Sequence, residues 1–268
     1  LSMCRGNLYG VGQMSCYAYN IFIYPVRIEV RSLYPFLAVY KRFIPPSLIG
    51  GLIKDIQQRE LKQQKVVDGD TGEKVVHKAR VANGTRIEHN ETESSSQTIR
   101  YLQMAVPAIQ FRSAESFNIL HYTEGGHYTP HYDYLEYANE SLADSNTRRL
   151  GNRFLTFMFL LRTADEGGET VFPELGSTVK PEAGDAIAWI NMDINYSCEE
   201  FSVHGACPVR KGVKVCATLW VRVVDQELTV SCGRNGEYDV EPLLFPSPSK
   251  LLHKRHLNCT DAYGCIFL

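Results

Sequence analysis

Tyr122-Thr-Glu-Gly-Gly-His-Tyr-Thr-Pro-His131-Tyr-Asp133 is the stretch whose reading decides the fold. Residues two apart in an extended strand project to the same face, so His131 and Asp133 can grip one metal from one strand. His204, in Ser202-Val-His-Gly-Ala-Cys207-Pro208, brings a second imidazole from a distant strand. Two imidazoles and one carboxylate occupy one face of an octahedral ion and leave the opposite positions open. Lys214 follows beyond a Pro208/Gly212 turn and is expected on the strand next to His204. There it offers a fixed cation for the far carboxylate of a keto-acid that chelates the metal. The plain alternative is a lysine exposed at a strand end.

A lone His-x-Asp carries little information, because most single histidines are surface or hydrogen-bonded core residues. The context carries more: Gly167-Gly-Glu-Thr170-Val-Phe172-Pro173, then Gly184-Asp185-Ala-Ile-Ala-Trp189, then His204 to Val209. The open facial set is the arrangement of non-haem Fe(II) oxygenases. On these residues the sequence resembles the prolyl 4-hydroxylase family, most closely the catalytic part of the collagen prolyl 4-hydroxylase α subunit. The resemblance runs from about residue 2 to about 232 and includes Cys4-Arg5-Gly6 with Cys16.

That resemblance implies an α+β chain built on a double-stranded β-helix, or jelly-roll, core with flanking N-terminal helices. It implies Fe(II) on His131, Asp133 and His204, with 2-oxoglutarate held by Lys214, Tyr122 and Thr170. Asp133 favours hydroxylation, since related halogenases carry a small residue there. Tyr128, Arg153 and Trp220 match substrate-side positions, against the plain reading of packed aromatics and a surface arginine. An aromatic groove suits a polyproline II strand, which presents rigid rings at little ordering cost. The implied substrate is proline in collagen-like X-Pro-Gly segments, with L-ascorbate as a further cofactor and protein disulfide isomerase as a partner. The alternatives are a prolyl hydroxylase of another proline-rich secreted protein and a non-catalytic jelly-roll binding module. Cytosolic oxygen-sensing relatives fit less well, because they use an arginine for the cosubstrate and lack the cysteines.

Cys4 with Cys16, and Cys207 with Cys232, match the family's two disulfides. The second would close a loop of about 25 residues, worth roughly 3–4 kcal/mol by the chain-entropy model. Eight cysteines and the sequons at Asn83, Asn90, Asn139, Asn195 and Asn258 point to an oxidising compartment. By resemblance that compartment is the endoplasmic reticulum lumen.

A chain of 268 residues accommodates one large domain with a substantial core. A net charge of −2 supplies no basic field for nucleic acid. His253-Lys254-Arg255-His256 is too short for more than a solvated tail. No apolar run reaches membrane-spanning length, since Ile21 to Val30 is broken by Pro25 and Arg27. The chain starts at Leu1 without a charged-then-apolar leader, so targeting is not read from this end.

Residues 1–30 read as a cysteine-containing leading segment, 31–232 as the catalytic domain and 233–268 as an irregular tail. Pro45-Pro46-Ser47 starts a helix expected through Lys62, with Leu48, Ile49, Leu52, Ile53 and Ile56 at core spacing. Residues 79–98 read as a polar mobile loop, and Thr98–Val106 as a second helix. Strands are expected at Phe36–Tyr40, Phe117–Tyr122, His131–Tyr134, Phe154–Leu161, Thr170–Phe172, Asp185–Asn191, Ser202–His204 and Lys214–Val224. Phe154–Leu161 is apolar nearly throughout, as in a strand buried on both sides. In the last strand the even residues Lys214, Cys216, Thr218 and Trp220 share one face, and Val215, Ala217, Leu219 and Val221 the other. Thr218 lies about 13 Å along the strand from Lys214, too far to share its carboxylate.

Overall fold

A computed structural model of the protein describes residues 3–5, 15–21, 24–67, 71, 73–226, 237–244, 257–260 and 264–265. Two antiparallel sheets lie face to face. The central strands of the long sheet run in the order Tyr24–Leu33, Phe36–Lys41, Ala186–Ile190, Arg153–Arg162, Lys214–Arg222, Phe117–Tyr122, Asn83–Ile87. The short sheet runs Ser177–Val179, Thr170–Phe172, His204–Ala206, His127–His131, Arg80–Val81. This is the expected jelly roll.

The long sheet is covered on both faces. One side takes the helices Pro46–Gln57 and Glu93–Ala105, whose Leu48, Leu52, Ile56 and Leu102 pack with Phe157, Phe159, Ala217 and Leu219. The other side faces the short sheet, where Met158, Leu160 and Trp189 meet Phe172 and Val179. That double cover is why Phe154–Leu161 reads as an apolar run interrupted only by Thr156. It also separates the two faces of Lys214–Arg222 as expected, with Val215, Ala217, Leu219 and Val221 in the helix-side core.

Several boundaries differ from the sequence reading. The first helix ends at Gln57, where Gln58 bonds back to Asp55 O and tightens the last turn. Residues 79–98 are not a mobile loop: Arg80–Val81 and Asn83–Ile87 are strands, and the helix begins at Glu93. Its cap is reciprocal, Ser95 N donating to Thr92 Oγ1 at 3.0 Å and Thr92 N to Ser95 Oγ at 3.1 Å. A serine in place of the usual Glu or Gln three residues on hides this capping box from pattern reading. Ser15–Ile21 and Tyr24–Leu33 pair as antiparallel strands of the long sheet, so part of the leading segment belongs to the body of the fold. Beyond 232, Leu243 and Leu244 are buried in the helix-side core, and Leu257–Thr260 pairs with Ser15–Ile21. The tail is therefore not wholly irregular.

The disulfide pairing is also corrected. Cys4 bonds Cys207, with Cα atoms 5.5 Å apart, in place of the expected Cys4–Cys16 and Cys207–Cys232 bridges. Cys16 is disulfide-bonded too, while Cys232 and the basic cluster at 253–256 lie outside the described residues. Family spacing fixes which cysteines are oxidised better than it fixes partners, because several connectivities suit the same cysteines. Arg210 Nη1 donates to Cys4 O at 3.3 Å and holds the leading segment beside the bridge.

Cys207→Ser is expected to cost about 2–5 kcal/mol, the usual loss for a native bridge. Cys4→Ser should match it, and the double variant should cost no more than either single one. Thermal or denaturant unfolding reads this out, and non-reducing peptide mapping should recover the Cys4–Cys207 pair.

Candidate metal centre and peptide groove

The short sheet supplies the triad. His131 ends one strand, and its Cα partner on the neighbouring strand is His204. Gly205 allows the close backbone approach this pairing needs, since a Cβ there would sit 3.0 Å from Tyr128 O. Asp133 lies past the end of its expected strand, which covers His127–His131 rather than His131–Tyr134. The chain bends after His131, yet the donor atoms still converge. The three ligand atoms lie within 4.8 Å of one another. His131 Nε2 is 3.8 Å from Asp133 Oδ1, and His204 Nε2 is 3.5 Å from Asp133 Oδ2.

The surroundings set tautomer and charge. His131 Nδ1 lies 2.8 Å from Thr129 O and His204 Nδ1 2.9 Å from Ser202 O, so each Nδ1 carries its proton and each Nε2 is free to bind. Burial and the neighbouring His204 push the His131 pKa down to about 3. Burial alone would raise Asp133, but His204, His131 and Arg153 outweigh it and hold the carboxyl at about 2. A neutral imidazole facing a carboxylate is the state a divalent cation requires. Thr156 Oγ1 donates to Asp133 Oδ2 at 2.7 Å and accepts from Asn191 Nδ2 at 2.8 Å. The amide thus commits the hydroxyl proton to the carboxylate. Tyr128 stacks on the His131 ring at 3.4 Å, and Trp189 packs against His204 at 4.6 Å. Imidazole nitrogens and a carboxylate with open positions fit Fe(II).

Lys214 belongs to the long sheet, not to a strand beside His204, and reaches the site from the opposite wall. It is 3 % exposed, so the exposed strand-end alternative fails. Its Nζ donates to Gly168 O at 2.8 Å and Thr170 Oγ1 at 3.3 Å, and sits 5.7 Å from the Tyr122 ring. Gly167 and Gly168 both have positive φ, the left-handed turn that delivers the Gly168 carbonyl. Among the described residues Lys214 has no ion pair, and burial lowers its pKa. A buried ammonium hydrogen-bonded only to neutral oxygens can receive a carboxylate. Lys214, Tyr122 and Thr170 line a narrow cavity together with all three triad residues. Cys216 and Thr218 line it as well, although the sequence reading set Thr218 aside.

Beside this cavity runs a groove of about 830 Å³, lined among others by Arg80, Tyr128, Tyr132, Arg153 and Trp220. Arg153 is not a surface arginine. Its Nε and Nη2 donate to Glu115 at 2.7 and 3.2 Å, Nη1 donates to Asp133 O at 3.3 Å, and its guanidinium lies 3.6 Å over Trp220. Arg80 lies 4.8 Å over Tyr128, behind the face stacked on His131. Sequence reasoning missed Arg80, Glu115, Thr156, Asn191 and Arg222. Thr156 alone left a trace, as the one hydroxyl inside an apolar strand.

Residues 117–222 match the model of the 2OG-Fe(II) oxygenase superfamily. Probable prolyl 4-hydroxylase 10 of Arabidopsis thaliana is 31% identical over 218 residues, covering 73% of this chain and 72% of that protein. Prolyl 4-hydroxylase subunit alpha-2 of Caenorhabditis elegans is 28% identical over 245 residues, 88% of this chain but only 45% of that protein. The chain thus spans under half the length of that relative, and 66% of probable prolyl 4-hydroxylase 7 of Arabidopsis thaliana. A viral collagen prolyl hydroxylase from Paramecium Bursaria Chlorella virus-1 shares the fold, with a TM-score of 0.52, 22% identity, and 70% of this chain on 96% of that one. A sequence match extending over nearly three quarters of both chains, on a jelly roll that gathers two histidines and an aspartate at its mouth, makes this chain a member of the prolyl 4-hydroxylase family of 2OG-Fe(II) oxygenases.

Proposed function

We propose that the protein is a peptidyl-proline 4-hydroxylase acting on collagen-like X-Pro-Gly segments, with 2-oxoglutarate and O₂ as cosubstrates and succinate and CO₂ as products. The observation that carries this reading is Lys214, a buried cation without an ion-pair partner among the described residues, sharing one cavity with the triad. His131, Asp133 and His204 would hold Fe(II), which supplies the oxidative chemistry when bound. Thr156 and Asn191 fix the Asp133 carboxylate, and the Thr129 and Ser202 carbonyls keep both Nε2 atoms aimed at one point. Lys214 and Thr170 bind the far carboxylate of 2-oxoglutarate and so orient its keto end toward the metal. Trp189, Met158 and Leu120 keep that cavity apolar and exclude bulk water. Tyr128, Arg153 and Trp220 line the groove beside it, where a proline-rich strand in polyproline II form would stack its rings.

Localisation in the endoplasmic reticulum lumen, L-ascorbate as the reductant that restores the metal, and association with protein disulfide isomerase belong to the same proposal. The Cys4–Cys207 bridge supports an oxidising compartment. Asn83, Asn139 and Asn195 are exposed, as acceptors of glycans must be. Among the described residues no helix is long and apolar enough to cross a membrane. Hydroxylation of (Pro-Pro-Gly)-type peptides, compared with other proline-rich peptides and read by mass spectrometry, tests the substrate. Hydroxylation of neither class would remove the proposal.

Asp133→Ala is expected to abolish hydroxylation. Thr156→Val should keep the fold and weaken metal affinity about 10–100-fold, as loss of an outer partner does. The peptide assay measures the first and calorimetric metal titration the second, and unchanged affinity in Thr156→Val would mean that the Thr156 bond does not tune the site.

Lys214→Ala is expected to raise the 2-oxoglutarate KM by one to two decades, because a charge-assisted hydrogen bond is worth roughly 1.5–3 kcal/mol. Metal affinity should stay close to that of the parent protein. An unaltered 2-oxoglutarate dependence would deprive Lys214 of this role.

A further inference from the structure

Arg222 ends the Lys214 strand and is 1 % exposed, which makes it a fully buried arginine. Its Nη2 lies 2.7 Å from Glu115 Oε1, the oxygen that also accepts from Arg153 Nε at 2.7 Å. Its Nη1 donates to Gly151 O at 2.9 Å and to Thr147 Oγ1 at 3.1 Å. One carboxylate therefore faces Arg153 and Arg222, with Arg86 Nη2 a further 3.6 Å away. Burial would raise the Glu115 pKa, but the arginines outweigh it and keep the carboxylate charged.

The segment that Arg222 reaches has little else to hold it. The helix Ser145–Leu150 has six residues, none of them buried, and starts on Asp144, whose Oδ1 accepts from Thr147 N at 2.7 Å. An element without a buried apolar face gains nothing from packing, so polar contacts must attach it to the body. Among the described residues these include the two Arg222 bonds, the backbone bonds Val223 N to Asn152 O and Val224 N to Leu150 O, and, just past the helix, the paired bonds of the Asn152 side chain with Leu135 N and O. Gly151, at φ 70°, lets the chain pass Val223, since a Cβ would meet Val223 Cγ1 at 2.3 Å. Asp144 and Asn146 of this segment line the large groove, as do Glu115 and Arg153.

We propose that Arg222 is a positioning residue for the substrate side of the site: through Glu115 it holds Arg153 flat over Trp220, and through Thr147 and Gly151 it straps segment 144–151 along the groove wall. This rests on reading the groove as the peptide site. Arg222 itself touches none of the residues that would hold the metal or 2-oxoglutarate, and its one route to them is through Arg153, whose Nη1 meets only the backbone oxygen of Asp133. Loss of the strap frees the wall and lets Arg153 leave Trp220, while Lys214 keeps its bonds to Gly168 and Thr170.

Two variants test this, Arg222→Gln and the milder Thr147→Val, which removes one bond of the strap and leaves the ion pair. Amide hydrogen exchange across 145–151 should accelerate about tenfold or more in Arg222→Gln and less in Thr147→Val. The (Pro-Pro-Gly)-peptide KM should rise about tenfold in Arg222→Gln, the worth of roughly one lost charged hydrogen bond. The 2-oxoglutarate KM should stay within about twofold, and Arg222→Lys should recover more of the peptide KM than of the exchange protection. Unchanged exchange at 145–151 in both variants would overturn the proposal, as would a 2-oxoglutarate KM that rises in step with the peptide KM. Should Arg222→Gln not fold, Thr147→Val decides alone by the same two readouts. Failure of the parent protein to hydroxylate any proline peptide would sink the functional reading instead, while the exchange experiment, which needs no substrate, still decides the strap.

Discussion

The central strands of the long sheet have no solvent side, and that constraint organises the molecule. Every residue of Lys214–Arg222 is buried, and nearly every residue of Arg153–Arg162. A polar group on such a strand must be partnered or lose several kcal/mol of stability. The partners found are the functional groups themselves: Thr156 bonds the Asp133 carboxylate, Lys214 meets Gly168 and Thr170, and Arg222 meets Glu115. Lys214 differs from the other two in having only neutral partners. Among the described residues of these two strands, Lys214 is the cation whose hydrogen-bond partners within the chain are all neutral.

Division of labour between the sheets follows. The short sheet carries His131 and His204, and the long sheet carries Lys214 and Tyr122, so the cavity lies where the two walls face each other about 10 Å apart. A molecule bound at both walls is measured by sheet spacing, a quantity set by core residues such as Phe172, Met158 and Leu160. Loop residues would not hold such a distance, because loops move and cores do not.

Residues whose signal is local were legible in sequence. Phe117–Tyr122 and Thr170–Phe172 have the expected bounds, because turn residues flank short apolar runs on both sides. His131, Asp133, His204 and Lys214 were legible because their chemistry is rare in combination. Three things were not. The strands at 80–87 owe their order to distant pairing, Arg80–Val81 with His127–His131 and Asn83–Ile87 with Phe117–Tyr122, contacts with no local signature. Glu115 and Arg222 are distant charges whose meeting only the register of strands decides. Cysteine pairing is a global property too: Cys4 finds Cys207 rather than its near neighbour Cys16.

The long span of that bridge has a biosynthetic consequence. Cys4 and Cys207 are 203 residues apart, so Cys4 is made long before its partner. During synthesis at about 5–20 residues per second, Cys16 is within reach for tens of seconds before Cys207 exists. Closing a short loop also has the smaller entropic cost, so Cys4–Cys16 is the bond that early oxidation favours. Where that early bond forms, the native bridge is reached by thiolate attack on it, with Cys16 as the leaving thiolate, rather than by simple oxidation. A bridge of this span therefore depends on thiol exchange wherever oxidation outpaces synthesis.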